Sequence, residues 1–323
     1  MIKKAFKIII ECMALFFLGL ALWLVYKEVH TLGITQIIAQ LKSISIPFLL
    51  LALLFIACDY LAMSGYDFMA LSYIGAKLKK LMIFKTAFIA FSVTNTTGHA
   101  YMAGGSVRYF FYSKAGLDEF QVLKVIAFES LTFLMGMGVV LDTCLILSHF
   151  MHLPELAKYQ TWLDLGAVAV SIAFLLYLIF IVVPKRAFRW GKIEIKAPTL
   201  KLTFKQMLIG GADIFSASFV FYALMRANMD ANYVHVAVIF LLAQLIGISS
   251  QVPGGLGVFE ATFLYLFQHT PEQKLPLLAT LISFRVLYYF LPLGLSCLFM
   301  LASWIRHLIN PSGTHHPTTQ NQQ

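Results

Sequence analysis

The sequence predicts an all-α integral membrane protein, with about six full transmembrane helices plus two re-entrant helical hairpins. Three observations carry that prediction. Of 323 residues, 60% are hydrophobic and only 12% are charged, whereas soluble domains carry about 25% charge. Several uncharged apolar runs approach the ~20 residues that cross about 30 Å of hydrocarbon as a helix. The basic residues gather at the ends of those runs, which is the positive-inside pattern. Mean hydropathy is +0.81. The longest polar stretch, 184–205, is well short of the ~50 residues an independent domain needs. Residues 1–310 therefore read as a single transmembrane domain, and 311–323 as a disordered polar tail.

Taken in order, the first apolar run, 8–26, follows Lys3, Lys4 and Lys7. It is longer than a signal-peptide core and lacks a small-x-small cleavage site, so it is expected to be a retained span. Further runs cover 46–74, 81–97, 120–148, 163–183, 206–227, 234–252, 256–268 and 275–305. Two breaks interrupt them: Gly98 through Gly105, and Pro253-Gly254-Gly255-Leu256-Gly257. Glycine and proline end helices there. Broken backbone at membrane depth must be buried by protein or line a watery cavity.

Charge sets the expected topology. Lys77, Lys79, Lys80 and Lys85 precede the first break, and Arg108, Lys114 and Lys124 follow it. Segment 86–105 should therefore enter and return on the cytoplasmic side, and the Pro253 break on the opposite side. Both termini and the 184–205 loop should be cytoplasmic, with 18 Lys and Arg on that side and five outside. A weak internal repeat relates 81–148 to 234–305, each an apolar helix, a break, a short aromatic helix and a long span. Inverted repeats with broken helices at the midplane are a transporter architecture.

Several function classes are disfavoured. The net charge of +9 follows membrane topology and gives no sign of nucleic-acid binding. Cys12, Cys58, Cys144 and Cys297 lie in apolar runs and read as small hydrophobes. There is no Walker A, G-x-S-x-G, HExxH or CxxC pattern. No catalytic residue, cofactor or metal site is expected, although a membrane-embedded enzyme stays open as an alternative.

Candidate headgroup residues cluster at the breaks and at intramembrane charges. At the first break, Asn95, Gly104, Gly105, Arg108 and Tyr109 offer exposed amides and a cation suited to phosphate. A plain capped loop with Arg108 snorkelling to the interface would look the same. At the second break, Pro253, Gly254, Gly255 and Gly257 offer similar amides, and Glu260 sits in the first turn that follows. Glu260 would suit a cationic headgroup, or merely the helix dipole. Asp59 and Asp67, with Tyr66 nearby, lie in a long apolar run, where acids are costly and face the bundle interior. Asp67 could instead sit at the interface close to Lys77. Glu129 and Arg285 occupy equivalent places in the two repeats with opposite charge. They are expected to face the interior near the breaks, paired with each other or sharing one polar cavity. Tyr288 follows Arg285 within one turn.

These stretches carry a resemblance. Tyr66-Asp67-Phe68, Ser92 to Thr96, Gly104 to Tyr112, Val252 to Glu260 and Phe284 to Pro292 resemble the transmembrane flippase domain of bacterial lysylphosphatidylglycerol synthase/flippase proteins. The resemblance spans roughly 8–305 and is most specific at the two glycine-rich stretches. It implies movement of an aminoacylated or other phospholipid between leaflets without nucleotide hydrolysis. It also implies residence in the bacterial cytoplasmic membrane. Such proteins add a soluble domain that transfers an amino acid from tRNA to phosphatidylglycerol. These 323 residues contain nothing like it, so a separately encoded synthase is an expected partner beside the membrane phospholipid itself. A homo-oligomer is compatible with the sequence. The leading expectation is a lipid translocase with a mid-membrane headgroup site. The alternatives are an enzyme or accessory subunit acting on lipid or polyprenyl precursors, and a transporter of small anions.

Overall fold

The structure is a computed structural model. It describes residues 44–97, 100–184, 187–190, 193–250, 252–267 and 271–309, with isolated positions between 23 and 42. The expected first span, 8–26, and the polar tail, 311–323, lie outside the described residues.

Helix α1, Ile46–Tyr73, begins at an extended Ser45 with Pro47 in its first turn, where the missing N–H costs nothing. Next come α2 (Lys80–Thr97), a π-helical turn (Ala100–Gly104) and α3 (Gly105–Lys114). The long α4, Glu119–Met151, starts at a capping box. There Gln121 N–H donates to Asp118 Oδ1 at 2.8 Å, and the Gln121 side chain accepts from Asp118 N–H at 3.0 Å. After α5 (Gln160–Tyr177), α6 (Leu200–Arg226) is capped by Thr199 and α7 (Tyr233–Ser249) by Asn232. The chain closes with α8 (Val258–Leu266), α9 (Lys274–Phe284), a π-helical segment (Arg285–Phe290) and α10 (Leu291–Ile309).

Among the described residues, five helices are long and apolar enough to cross a membrane: Ile46–Tyr73, Glu119–Met151, Leu156–Val182, Leu200–Arg226 and Lys274–Ala302. These coincide with five of the six expected spans. The polar stretch 184–205 differs from expectation in carrying a small β-hairpin. Strand β1 (Ala187–Trp190) pairs antiparallel with β2 (Ile193–Lys196), Trp190 opposite Ile193. The sequence alternates apolar and polar residues on both sides of Gly191-Lys192, a composition that suits a two-residue hairpin turn.

Each glycine break lets the chain fold back on itself. Gly104 lies so close to Thr94 that a Cβ there would collide with the hydroxyl. Ala103 and Val107 pack on Ile89, Ala90 and Val93. In the second hairpin Phe240 meets Phe259 with ring centroids 5.6 Å apart, and His235 stacks on Phe267 at 4.8 Å. Gly254, Gly255 and Gly257 have φ of 63°, 60° and 78°, a left-handed run that L side chains resist. The tips of the two hairpins touch: a Cβ on Gly254 would fall 2.6 Å from the Thr96 carbonyl oxygen.

The spans pack closely where side chains are smallest. Gly136 of α4 and Gly210 of α6 bring their backbones together with no room for a Cβ, the small-residue contact typical of membrane helices. Nearby, Gln206 Nε2 donates to Thr132 Oγ1 at 2.9 Å across the same pair of helices. The main apolar core joins α1, α4, α6, α7, α8 and α9, with Phe221, Phe263 and Phe284 buried at its centre.

Candidate functional site

Between the hairpins and the spans lies a cavity of about 260 Å3. Its apolar wall includes Phe91, Phe133, Phe240 and Phe259. Its polar wall is built by residues from α1, α2, α3, α4, α6, α7, the Pro253 break and the π-helical segment.

The first polar group centres on Arg108, in the first turn of α3. The turn back at Gly104 points its side chain inward. Arg108 is 2% exposed, Asp67 0% and Glu129 6%. Arg108 Nε and Nη2 donate to the two oxygens of Asp67 at 3.1 and 2.9 Å, a bidentate fork. Glu129 Oε1 lies 2.8 Å from the same Nε. Because that N–H points at Asp67, the Glu129 contact is ionic and its oxygen has no aligned donor. Tyr112 O–H donates to Asp67 Oδ1 at 2.5 Å. The Arg108 guanidinium lies 4.5 Å from the Phe91 ring centre, a cation–π contact in a dry setting. One guanidinium thus faces two carboxyl groups. Asp67 and Arg108 are therefore buried in protein, each held by the other, and the Arg108 side chain is not extended along the surface.

The second polar group closes the Pro253 break. Arg285 Nε donates to Glu260 Oε1 at 2.6 Å, and Nη1 to the Gly254 carbonyl at 2.7 Å. Glu260 Oε2 accepts the Gly257 N–H at 2.9 Å, so one carboxylate both caps α8 and binds the following span. Here the break offers carbonyls to a cation, where the sequence had suggested amides for an anion. The expected pairing of Glu129 with Arg285 is corrected. Both side chains are buried near the breaks, but Glu129 pairs with Arg108 and Arg285 with Glu260. Each break thus has its own ion pair, between the short helix that follows it and the next span.

The third group joins α1, α6 and the π-helical segment. Tyr288 O–H donates to Asp59 Oδ2 at 2.7 Å. Tyr66 O–H donates to Asp213 Oδ2 at 2.5 Å. The Asp59 and Asp213 carboxyls lie within hydrogen-bonding reach of each other.

Of the candidate residues, Tyr66, Asn95, Arg108, Glu129, Gly254, Gly255 and Tyr288 line the cavity. Asp59 and Asp67 stand behind Tyr288 and Arg108 as their partners. Arg285 lines a small separate pocket with Thr96 and Tyr289, and Glu260 and Gly257 meet beside it. Gly104 and Gly105 are hairpin elements: a Cβ on Gly105 would sit 2.8 Å from Ile126. Pro253 opens the turn at the second tip. Tyr109 packs with Tyr112 and Leu71 in a cluster away from the cavity. Sequence reasoning missed Asp213 and Gln244, both on the cavity wall. Asp213 lies inside an apolar run, the same signal that singled out Asp59.

Apolar spans around a buried, ion-paired polar cavity, bordered by two broken hairpins, define a multi-pass membrane protein with a polar site among its spans. The chain belongs to the lysylphosphatidylglycerol synthase TM region family, whose pattern matches residues 9–296. It is 28% identical over 281 residues to the uncharacterized protein slr0712 of Synechocystis sp., covering 85% of each chain. It is 27% identical over 300 residues to the inner membrane protein YbhN of Escherichia coli, covering 91% of this chain and 92% of that one. Against the phosphatidylglycerol lysyltransferase of Bacillus subtilis it is 24% identical over 277 residues, 84% of this chain but 32% of that protein. The relationship is therefore to the membrane portion of the lysyltransferases. Together with the apolar spans, these relatives support a multi-pass protein of the inner membrane with a lipid-related role.

Proposed function

We propose that this protein is a phospholipid translocase, moving an aminoacylated or other phospholipid between leaflets through the cavity beside Arg108, without ATP hydrolysis. The observation that carries this is the cavity of about 260 Å3, walled by the buried Arg108 guanidinium, the carboxyl groups of Glu129 and Asp213, and aromatic rings. It is slightly smaller than the ~300–1,000 Å3 of pockets that enclose drug-sized ligands. That size suits a headgroup while acyl chains stay in the bilayer. Arg108 lines the cavity while held by Asp67 and Glu129. A lipid phosphate would take the place of Glu129 on the guanidinium, and Glu129 and Asp213 would then supply acceptors for an amine or hydroxyl on the headgroup. The kinship with phosphatidylglycerol lysyltransferases supports a lipid of that kind and a separately encoded synthase as supplier. The basic residues at the run ends support cytoplasmic termini and a cytoplasmic 184–205 hairpin.

The test is reconstitution into phosphatidylglycerol-containing vesicles carrying fluorescent phosphatidylglycerol in one leaflet. Accelerated exposure of the probe to a membrane-impermeant quencher is expected. Native mass spectrometry of the purified protein should find a co-purified phospholipid. Vesicles no faster than protein-free controls, together with a lipid-free spectrum, would end this reading.

A further inference from the structure

The Asp59–Asp213 pair does a different job from the ion-paired groups. Asp59 is 0% exposed and Asp213 4%. Each carboxyl already has one oxygen occupied by a phenol, Tyr288 on Asp59 and Tyr66 on Asp213. Asp59 Oδ1 has no hydrogen-bond donor although it is fully buried. A buried carboxylate oxygen without a donor is costly, and two bare carboxylates in contact repel strongly in a medium of low polarity.

The charged neighbours do not relieve this. Arg108 is committed to Asp67 and Glu129, and Arg285 to Glu260 and the Gly254 carbonyl. Among the described residues, the ionisable groups around the pair are Cys58, Tyr60 and Tyr66 on α1, Tyr288 and Tyr289 on the π-helical segment, and Glu129 on α4 beyond Tyr66. None of these carries a positive charge. On α2 the nearest polar groups are the neutral Ser92 and Asn95, close to Tyr60. On α7 the cavity residue Gln244 is also neutral. Two carboxyls and two phenols fall short of the 6–8 oxygens a calcium site takes. Among the described residues, no three His, Cys, Asp or Glu side chains gather to hold a metal. What the donor-less Asp59 Oδ1 and its carboxyl neighbour can hold is a single proton.

We propose that Asp59 and Asp213 share one proton, and that its gain and loss switch the packing of α1 against α6 and hence the shape of the cavity. In the bound state an O–H bond on one carboxyl donates to the other, and α1 and α6 are clamped as in this structure. In the released state the proton has passed to cavity water, which Asp213, Tyr66 and Tyr288 border. The two carboxylates then repel and the helices separate. The π-helical segment carrying Tyr288 is suited to following that movement, since such segments are often found at functional sites. The proton site stands on its own geometry. Its use to power lipid movement rests on the translocase reading above.

The experiment has two arms on the full chain. In lipid nanodiscs, infrared difference spectroscopy follows the protonated-carboxyl C=O band as pH is varied. The wild type should show a titrating band that is lost in Asp59→Asn and in Asp213→Asn. Asn matches the shape of a protonated Asp, so both variants should fold. Tyr288→Phe, a milder change, should keep the band and move the pH at which it titrates. A wild-type band that survives both Asn variants would overturn the site. So would a band absent throughout, with sodium at constant pH stabilising the protein in place of a proton. In the second arm, vesicles with fluorescent phosphatidylglycerol receive an imposed pH difference, with and without a protonophore. Probe exposure should follow the pH difference in the wild type and ignore it in the Asn variants. Transport indifferent to the pH difference would overturn the coupling and leave the translocase standing. A titrating band without any transport would leave the proton site standing and remove the translocase.

Discussion

Arg285 lies 2.6 Å from Glu260, its partner 25 residues earlier in the chain, and the same guanidinium reaches the Gly254 carbonyl at 2.7 Å. At the first break the signs are exchanged. Arg108 stands on the short helix and Glu129 on the following span, 2.8 Å apart. Each ion pair fastens the returning arm of a hairpin to the helix behind it. This explains how a Gly-rich break can persist among apolar helices: the charge that would be costly alone is neutralised where the backbone is irregular.

A double-mutant cycle tests which partners are coupled. Arg285→Gln with Glu260→Gln should be strongly non-additive in thermal stability, and Arg285→Gln with Glu129→Gln close to additive. Breaking a fully buried pair from one side costs about 3–5 kcal/mol. Glu260 is 23% exposed, so its loss should fall at or below the lower end. Coupling of Glu129 to Arg285 instead would contradict the observed pairing.

Arg108→Lys keeps the charge but loses the fork on Asp67. The variant should be less stable than wild type and slower in exposing fluorescent phosphatidylglycerol. At matched reconstitution, lipid exposure equal to wild type would reject a headgroup role for Arg108, whatever happens to stability.

Gly210→Ala places a methyl group where α4 and α6 touch through backbone. Overpacking of this sort costs about 1–3 kcal/mol. A lower melting temperature is expected, whereas Gly294→Ala, with nothing within 4 Å of the added Cβ, should change little beyond helix propensity. Equal melting temperatures for the two variants would argue against the close α4–α6 contact.

Topology is open to cysteine labelling on a background without Cys12, Cys58, Cys144 and Cys297. A cysteine at position 192, in the expected cytoplasmic stretch 184–205, should be reached only after the membrane is permeabilised. Labelling from outside intact cells would invert the proposed orientation.

Much of the architecture was legible in the sequence. Apolar length and low charge located the span Ile46–Tyr73 to within a residue at each end, and the end of Leu200–Arg226 equally well, with its basic first turns left out. Bilayer thickness imposes that length whatever the helices pack against. Gly254, Gly255 and Gly257 announced a break because only glycine adopts their positive φ without strain. The β-hairpin at 187–196 went unnoticed, since its alternation is short and sits among charges.

What the sequence by itself determined was where the apolar spans lie, where the chain breaks, and that Asp59, Glu129 and Arg285 must be sheltered. Each of these follows from the cost of exposing backbone or charge to hydrocarbon, a one-body property of the residue in its solvent. Which charge meets which was decided only in the tertiary structure. Equivalent positions and opposite signs suggested Glu129 with Arg285, but a salt bridge needs two side chains within about 4 Å. The fold-back of each hairpin brings Arg108 to Glu129 and Glu260 to Arg285 at that distance. Asp213 gains its meaning the same way: alone it is one acid in an apolar helix, and the packing of α6 on α1 makes it half of a pair.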